Sequence, residues 1–389
     1  MKVLIIGGMG VIGGAITTAA SKHGHDITVV SRRELTSEWN LPGVCGISGN
    51  WKDKDFASNV VKEVFDVIVD TQVFDVKQII RSMDIVNGHC KQYIYISTDS
   101  VYKHPAMELR EDEPIDFKDI YWDYGIKKRE AELYLLNNGD RYDFNWSVIR
   151  PTITFGNTRI PVGYASRRNT YTLAERILSG KPIIRFDNPD SRHAVCHTSV
   201  FGEATVGMFL NEKAYGQFLH ISDDYAFTYG EIFEAIESAL GKKGIYISVP
   251  TDSIKNLSRN VYEEMVYDKN PDFILDNSKI KDISPNVNYL IDMKEAMKET
   301  LTYIKANSTS QDEEYNLITD CILVEQINKL KNEEQRKLVM SYINKLPNEY
   351  LDKLKQFKKQ RKFECMLLPL KKLKRNIKTV LIDKVKINH

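Results

Sequence analysis

The chain has little of what marks a secreted or membrane-spanning protein. Its 389 residues hold five cysteines, at 45, 90, 196, 321 and 365. They are odd in number and scattered, which suits reduced thiols rather than a disulfide framework. No apolar run approaches the roughly 20 residues that cross a bilayer. The N-terminal apolar run is five residues long and passes directly into glycines, so it is not read as a signal peptide. Neither sign of charge dominates, with 54 Lys+Arg against 53 Asp+Glu. There is therefore no overall nucleic-acid signature, and nucleic acid is not an expected partner. His193 and His197, with Cys196 between them, come nearest to a metal-ligand pattern. A zinc site takes three or four ligands and no second cluster supplies the rest, so no metal is expected. These absences leave a cytoplasmic protein, long enough for a large two-part domain and an extension.

What is present begins at residue 2. Lys2 to Ile6 is a short apolar, β-branched run, which predicts a buried parallel strand. Gly7, Gly10 and Gly13 follow, and Val11 to His23 then reads as a helix. A strand, a glycine turn and a helix N-terminus together make an anion site, because backbone N–H groups and the helix dipole converge there. The context suits a dinucleotide held by Gly7, Met9, Gly10, Val11, Ile12 and Gly13. A second strand, Ile27 to Val30, ends in Ser31-Arg32-Arg33. An acid at that strand end binds the ribose 2′-OH of NAD, and an arginine suits a 2′-phosphate. NADP(H) is accordingly expected over NAD(H). Asn50 and Trp51 follow a third strand and are expected over the adenine. Val67–Val69 reads as another strand, with Thr71 and Gln72 after it as further cofactor contacts.

The chemistry-bearing residues come next. Tyr93–Ile96 reads as a strand leading into Ser97-Thr98-Asp99-Ser100-Val101-Tyr102. Tyr124 and Lys128 fall one turn apart on a helix expected to run through Leu135. An unperturbed tyrosine, with a pKa near 10, is a poor base at neutral pH. A neighbouring ammonium favours the phenolate, so Tyr124 can exchange a proton with a carbinol or ketone.

Taken together, Gly7/Gly10/Gly13, Ser97 to Tyr102, Tyr124-Gly-Ile-Lys-Lys128-Arg-Glu-Ala-Glu132, Val148-Ile-Arg-Pro151-Thr-Ile-Thr-Phe-Gly156 and the stretch from Gly216 to Ile236 resemble the extended short-chain dehydrogenase/reductases. This NAD-dependent epimerase/dehydratase group includes nucleotide-sugar epimerases, dehydratases and ketoreductases, and the resemblance covers roughly residues 1–305. It implies an α/β fold: a Rossmann-type doubly wound parallel sheet with a smaller α/β substrate domain, here followed by a C-terminal helical extension. It implies Thr98, Tyr124 and Lys128 as catalytic residues, with Pro151, Thr152 and Ile153 lining the nicotinamide pocket. It also implies a homodimer built on the helix that carries Tyr124. The stretches Tyr121-Trp-Asp-Tyr124-Gly and Ile177-Leu-Ser-Gly-Lys181-Pro resemble a subgroup that is similar to both sugar epimerases and chloroplast stem-loop-binding proteins. Where 4,6-dehydratases carry Thr-Asp-Glu, this chain has Ser100, and a serine cannot perform the carboxylate's part in elimination. Reduction of a 4-keto sugar nucleotide and epimerisation through a ketone both stay open. The non-catalytic alternative is an RNA- or partner-binding protein.

Toward the substrate, Ser100, Arg159, Arg168 and Arg192 are the candidates, with Arg167 beside them, since guanidinium forks suit diphosphates. The expected boundaries are 1–155 for the cofactor domain, 156–305 for most of the substrate domain, 306–316 for a linker and 317–389 for basic helices. Residues 318–346 and 349–365 show helical spacing, and Pro369 is read as opening a last helix. From 351 to 389 thirteen Lys/Arg face three Asp/Glu, an excess of +10, so with +1 overall the rest of the chain carries −9. Leu370, Leu373, Ile377, Val380, Leu381 and Val385 recur at helical spacing among lysines. Such a helix can pack on a protein, lie on an anionic inner-membrane surface or meet RNA.

Overall fold

The computed structural model describes residues 1–102, 108–120, 122–157, 159–166, 168–187, 190–307 and 311–386, without the side chains of 38, 119 and 368–386. Two compact units emerge, each assembled from three stretches of chain. The first comprises Met1–Gly163, Asp190–Gly241 and Pro271–Ser308; the second comprises Tyr164–Pro189, Lys242–Asn270 and Thr309–His389.

The first unit is built on a parallel sheet. Its strands are β1 (Lys2–Ile6), β2 (Asp26–Ser31), β3 (Val44–Ser48), β4 (Phe65–Asp70), β5 (Cys90–Ile96), β6 (Asn145–Pro151) and β7 (Gln217–Ile221). They lie in the order β7-β6-β5-β4-β1-β2-β3. The helices α1 (Val11–Lys22), α2 (Lys54–Val60), α3 (Val76–Val86) and α4 (Asp123–Asn138) connect or follow the strands. Val3, Ile5, Val67, Val69, Ile94 and Ile149 face one apolar layer, and Leu4, Ile6, Ile68, Tyr93, Tyr95 and Val148 face the other. That alternation is why strands covered on both faces read as unbroken apolar runs.

The order reverses direction between β1 and β4, and ligands of doubly wound sheets bind outside the strand ends at such a point. Register supplies the alignment. Ile6 pairs with both Val30 and Asp70, Asp70 with Tyr95, and Ile96 with Ile149. The segments that start at Gly7, Arg32, Thr71 and Ser97 therefore leave the sheet along one edge, with Pro151 ending β6 alongside Ile221 of β7.

In the second unit, strands Pro182–Phe186 and Ile245–Val249 pair in parallel. Helices Tyr171–Leu178, Glu313–Gln326, Glu333–Ile343 and Asn348–Lys386 belong to the same unit. Its centre is Arg176, which donates to Asp320 at 2.7 Å, while Tyr342 and Tyr350 donate to the same carboxylate.

The expected boundaries do not coincide with these units. Residues 156–305 are shared between them, and residues 317–389 group with 164–189 and 242–270 rather than standing alone. The helix after the linker begins at Glu313, because Asp312 caps it through the N–H groups of Glu314 and Tyr315. The last helix runs through Pro369 instead of opening there.

Candidate active site

The glycine turn is the first element of the site. Gly7 has φ +84°, a region that favours glycine, and its N–H donates to Val30 O at 2.8 Å. A Cβ on Gly13 would stand 2.3 Å from Gly7 O, backbone against backbone, so α1 can meet the turn only through a glycine. Gly10 differs, since a Cβ there would find only Gly7 O, at 3.6 Å. Gly10 also caps α1 in an extended conformation with no side-chain hydrogen bond. The first N–H groups of α1 thus begin without a side-chain cap, beside a position whose missing side chain the protein's own packing does not require. That arrangement fits a dinucleotide pyrophosphate. Met9 and Ile12 are half-buried against the core, and Val11 is half-buried beside them.

Thr71 and Gln72 come off β4 against this turn. The Thr71 hydroxyl donates to Ile6 O at 2.8 Å, and Gln72 Nε2 donates to Thr71 Oγ1 at 3.2 Å. At the end of β2, Ser31 is half-buried while Arg32 and Arg33 are exposed. Trp51 is drawn into the core at 4% exposure, its indole donating to Ser82 Oγ at 3.3 Å. Asn50 accepts from the Lys52 N–H at 3.1 Å. Of the pair expected over the adenine, Trp51 thus packs its ring beside Leu4, Ile6 and Val30, and Asn50 closes a turn.

Tyr124 and Lys128 lie in α4. Gly125 lets this helix approach the segment after β5, because a Cβ there would fall 2.1 Å from Ser100 O. Lys128 is 2% exposed. Its ammonium donates to Val73 O at 2.6 Å and to Ile96 O at 2.8 Å. Three rings surround it, with centroids at 5.0 Å for Phe74, 5.1 Å for Tyr95 and 6.0 Å for Tyr124. Burial pushes the ammonium down to about 7, against the pull of Asp70 and Glu132. Tyr124 is half-buried, one helical turn before Lys128. Thr98 is buried two residues after Ile96, whose carbonyl accepts from Lys128, and its hydroxyl is 3.2 Å from Asp99 Oδ1 and 3.1 Å from Ser100 Oγ.

A polar network missed at the sequence level lies alongside these residues. Glu132, one turn beyond Lys128, is fully buried and accepts from Ser97 Oγ at 2.6 Å, from Arg150 Nε and Nη2 at 3.0 and 2.9 Å, and from Arg129. Burial alone would raise this carboxyl, but Arg150 holds it below the usual range. Arg150 also donates to the Tyr102 hydroxyl, which is 2.8 Å from His220 Nε2. Burial and the Arg150 charge take His220 down to about 3, so the ring is neutral. Asp70 is likewise buried, and desolvation raises its carboxyl. One signal was available: Arg150 interrupts the apolar strand Trp146-Ser-Val-Ile-Arg-Pro151, and a lone charge inside a buried strand requires a buried partner.

The remaining candidates separate. Thr152 donates to Ala194 O at 2.6 Å, and Ile153 pairs with Val195, so the segment after β6 is fixed from 151 to 153. The Arg159 backbone bridges Gly156. Arg192 Nε donates to Ala226 O at 3.4 Å, and its guanidinium lies 5.9 Å from the Tyr225 ring centroid. Arg168 belongs to the second unit, where it pairs with Glu314. Arg167 and Tyr121 lie outside the described residues. His193 stacks on Tyr229, and His197 Nδ1 lies 2.8 Å from Ser199 Oγ. Among the described residues no group of three or more His, Cys, Asp or Glu is arranged to hold a metal. Nor is any described helix long and apolar enough to cross a membrane.

The architecture has known counterparts. A UDP-glucuronic acid 4-epimerase from Bacillus cereus, solved in complex with NAD, superposes with a TM-score of 0.65 at 15% identity, over 81% of this chain and 100% of that one. MoeE5, solved in complex with UDP-glucuronic acid and NAD, gives 0.62 at 14% identity, over 79% and 100%. At these identities the likeness is one of fold. In sequence, the chain is 26% identical over 254 residues to the chloroplast stem-loop binding protein of 41 kDa b of Arabidopsis thaliana. That match spans 62% of this chain and 63% of the relative. The profile of the NAD dependent epimerase/dehydratase family matches residues 3–214, more than half of the chain and the part that carries the glycine turn, Thr98, Tyr124 and Lys128. The chain belongs to the NAD dependent epimerase/dehydratase family.

Proposed function

We propose that this protein is an NAD(P)-dependent oxidoreductase of nucleotide-activated sugars, acting by 4-keto reduction or by epimerisation through a keto intermediate. The observation that carries the reading is Lys128: an ammonium buried between two carbonyls and three rings, one of them Tyr124. A buried lysine with a strongly lowered pKa, on the turn after a tyrosine and at the edge where the strands end, has the attributes of a site that moves protons. The bound nicotinamide would supply or accept the hydride. Thr98 would orient the sugar oxygen, Tyr124 would give or take its proton, and Lys128 would bias Tyr124 toward the phenolate. Ser100 in place of a carboxylate speaks against dehydration. Arg159 and Arg192 would take the diphosphate, and Arg32 and Arg33 favour NADP(H).

The first test is to denature the purified protein and identify any dinucleotide released. Stoichiometric NAD(H) is the expectation for an epimerase that recycles its cofactor, and it would overturn the reading of Arg32 and Arg33. An empty protein that binds NADPH more tightly than NADH is the expectation for a reductase. No affinity for either would sink the proposal.

A second reading rests on the relative named for stem-loop binding. A salt-sensitive shift of a stem-loop RNA, with no turnover on any sugar nucleotide, would favour it.

A further inference from the structure

The last helix changes character along its length. Near its start it is docked: Leu354 is buried, and Tyr350 donates to Asp320 at 2.9 Å. Farther on, Phe363 and Met366 are 57% and 64% exposed. Three residues apart, they lie side by side on one face. In the sequence the apolar positions continue in the same register, at Leu370, Leu373, Ile377 and Val380, with seven Lys/Arg between 371 and 386. A polar cavity of about 480 Å³ opens beside the docked part, lined among others by Lys329, Lys358 and Lys362, with Asp252 and Glu325; Glu325 pairs with Lys358.

We infer that this helix docks the protein on an anionic phospholipid surface, with the Phe363/Met366 register toward the acyl boundary and the lysines toward headgroup phosphates. Charge selects this occupant. Residues 351–389 carry +10, so pairing the helix with itself in a second copy would set two such charges face to face. An anionic leaflet instead attracts each lysine near it by about 1 kcal/mol. Seven Lys/Arg over sixteen residues exclude a span, whereas apolar positions recurring at helical spacing among lysines suit a helix lying in the interface. RNA would use the lysines and leave the leucine, isoleucine and valine positions without a partner.

The test is flotation of the full chain with vesicles of phosphatidylcholine alone and of phosphatidylcholine mixed with phosphatidylglycerol. Binding to the mixed vesicles is expected to be roughly tenfold or more tighter, and to weaken sharply with salt. Phe363→Ser combined with Met366→Ser should reduce it roughly tenfold, at unchanged thermal stability and dinucleotide affinity, because both side chains are exposed. Equal partition into the two vesicle types would overturn the inference. So would full binding by the double variant, a self-association that the double variant abolishes without any vesicle binding, or a shift of stem-loop RNA in its place.

Discussion

Among the described residues, each unit holds an arginine–carboxylate pair with both side chains almost fully buried, and the two pairs differ in their surroundings. Arg150 forks onto Glu132 in the first unit, and Arg176 donates to Asp320 in the second. Both arginines are at most 2% exposed. Burial opposes the charge of each, and the facing acid keeps it. The chemistry is the same, but the remaining hydrogen bonds differ. Asp320 is filled by Tyr342 and Tyr350 as well as Arg176, so it ties four helices together. Glu132 also holds Ser97 and shares a helix with Tyr124 and Lys128. A buried, perturbed pair therefore marks a site only when its leftover bonds lead to groups with chemistry of their own.

The sharpest way to break this comparison is to remove the proposed proton donor while leaving the frame. Tyr124→Phe is expected to lower turnover by roughly 10²- to 10⁴-fold with dinucleotide affinity nearly unchanged, as read by steady-state kinetics and cofactor titration. Retained turnover would detach the first unit's network from catalysis. Next in size are the pairs themselves. Arg150→Met and Arg176→Met each strand a buried carboxylate, and each should cost about 3–5 kcal/mol of stability, measured by denaturant unfolding. Only Arg150→Met should also lower the kcat of the protein that remains folded, since Glu132 would then be free to pull Ser97, and with it Thr98, out of position. An equal loss of kcat in Arg176→Met would erase the distinction.

The sequence made one of these regions much more legible than the other. β1 was readable to the residue, because an apolar, β-branched run followed by glycine has few alternatives, and Tyr124 and Lys128 were readable because one helical turn separates them. Arg150 and Glu132 escaped because they meet from a strand and a helix 18 residues apart, and neither has a local signature. The second unit escaped for a stronger version of the same reason. Its three stretches are joined by contacts such as Arg176 to Asp320, 144 residues apart, and helical periodicity reports that a face is apolar without reporting what it packs on. Trp51 shows what position alone leaves out: its place after β3 suggested a ligand contact, and its size and apolarity bury its ring in the core.

Lys128 sharpens the comparison through pH. Its folded-state pKa lies near 7, below the roughly 10.4 of an unfolded lysine. Between those values the unfolded chain holds a proton that the folded chain has released, so stability should rise with pH. The slope is limited to about 1.4 kcal/mol per pH unit. Unfolding free energies of the wild type and of Lys128→Met, compared from pH 7 to 9, should diverge in favour of the wild type as pH rises. Parallel profiles would mean that the two carbonyls and the surrounding rings keep Lys128 charged.

The smallest expected effect concerns the cofactor's 2′ position. Arg32 and Arg33 are exposed, so neither offers more than a solvent-screened charge on its own. On the proposed reading the choice would rest on Arg33. Ser31 Oγ accepts the Arg33 N–H at 3.2 Å, and Leu35 folds over Gly46, where a Cβ would meet it at 2.4 Å. Arg33 and Glu34 consequently share the lining of one cavity of about 340 Å³, together with Ser31 and Ser48. A 2′-phosphate would be drawn by Arg33 and repelled by Glu34, and a 2′-hydroxyl could donate to Glu34. Arg33→Ser should therefore lower the ratio of NADPH to NADH affinity by roughly tenfold, about 1.4 kcal/mol, and Glu34→Gln should raise it by less. Both shifts should shrink at high salt. If the wild type already prefers NADH and Arg33→Ser changes nothing, the arginines are solvated loop residues, and discrimination at this edge of the sheet falls to Glu34 alone.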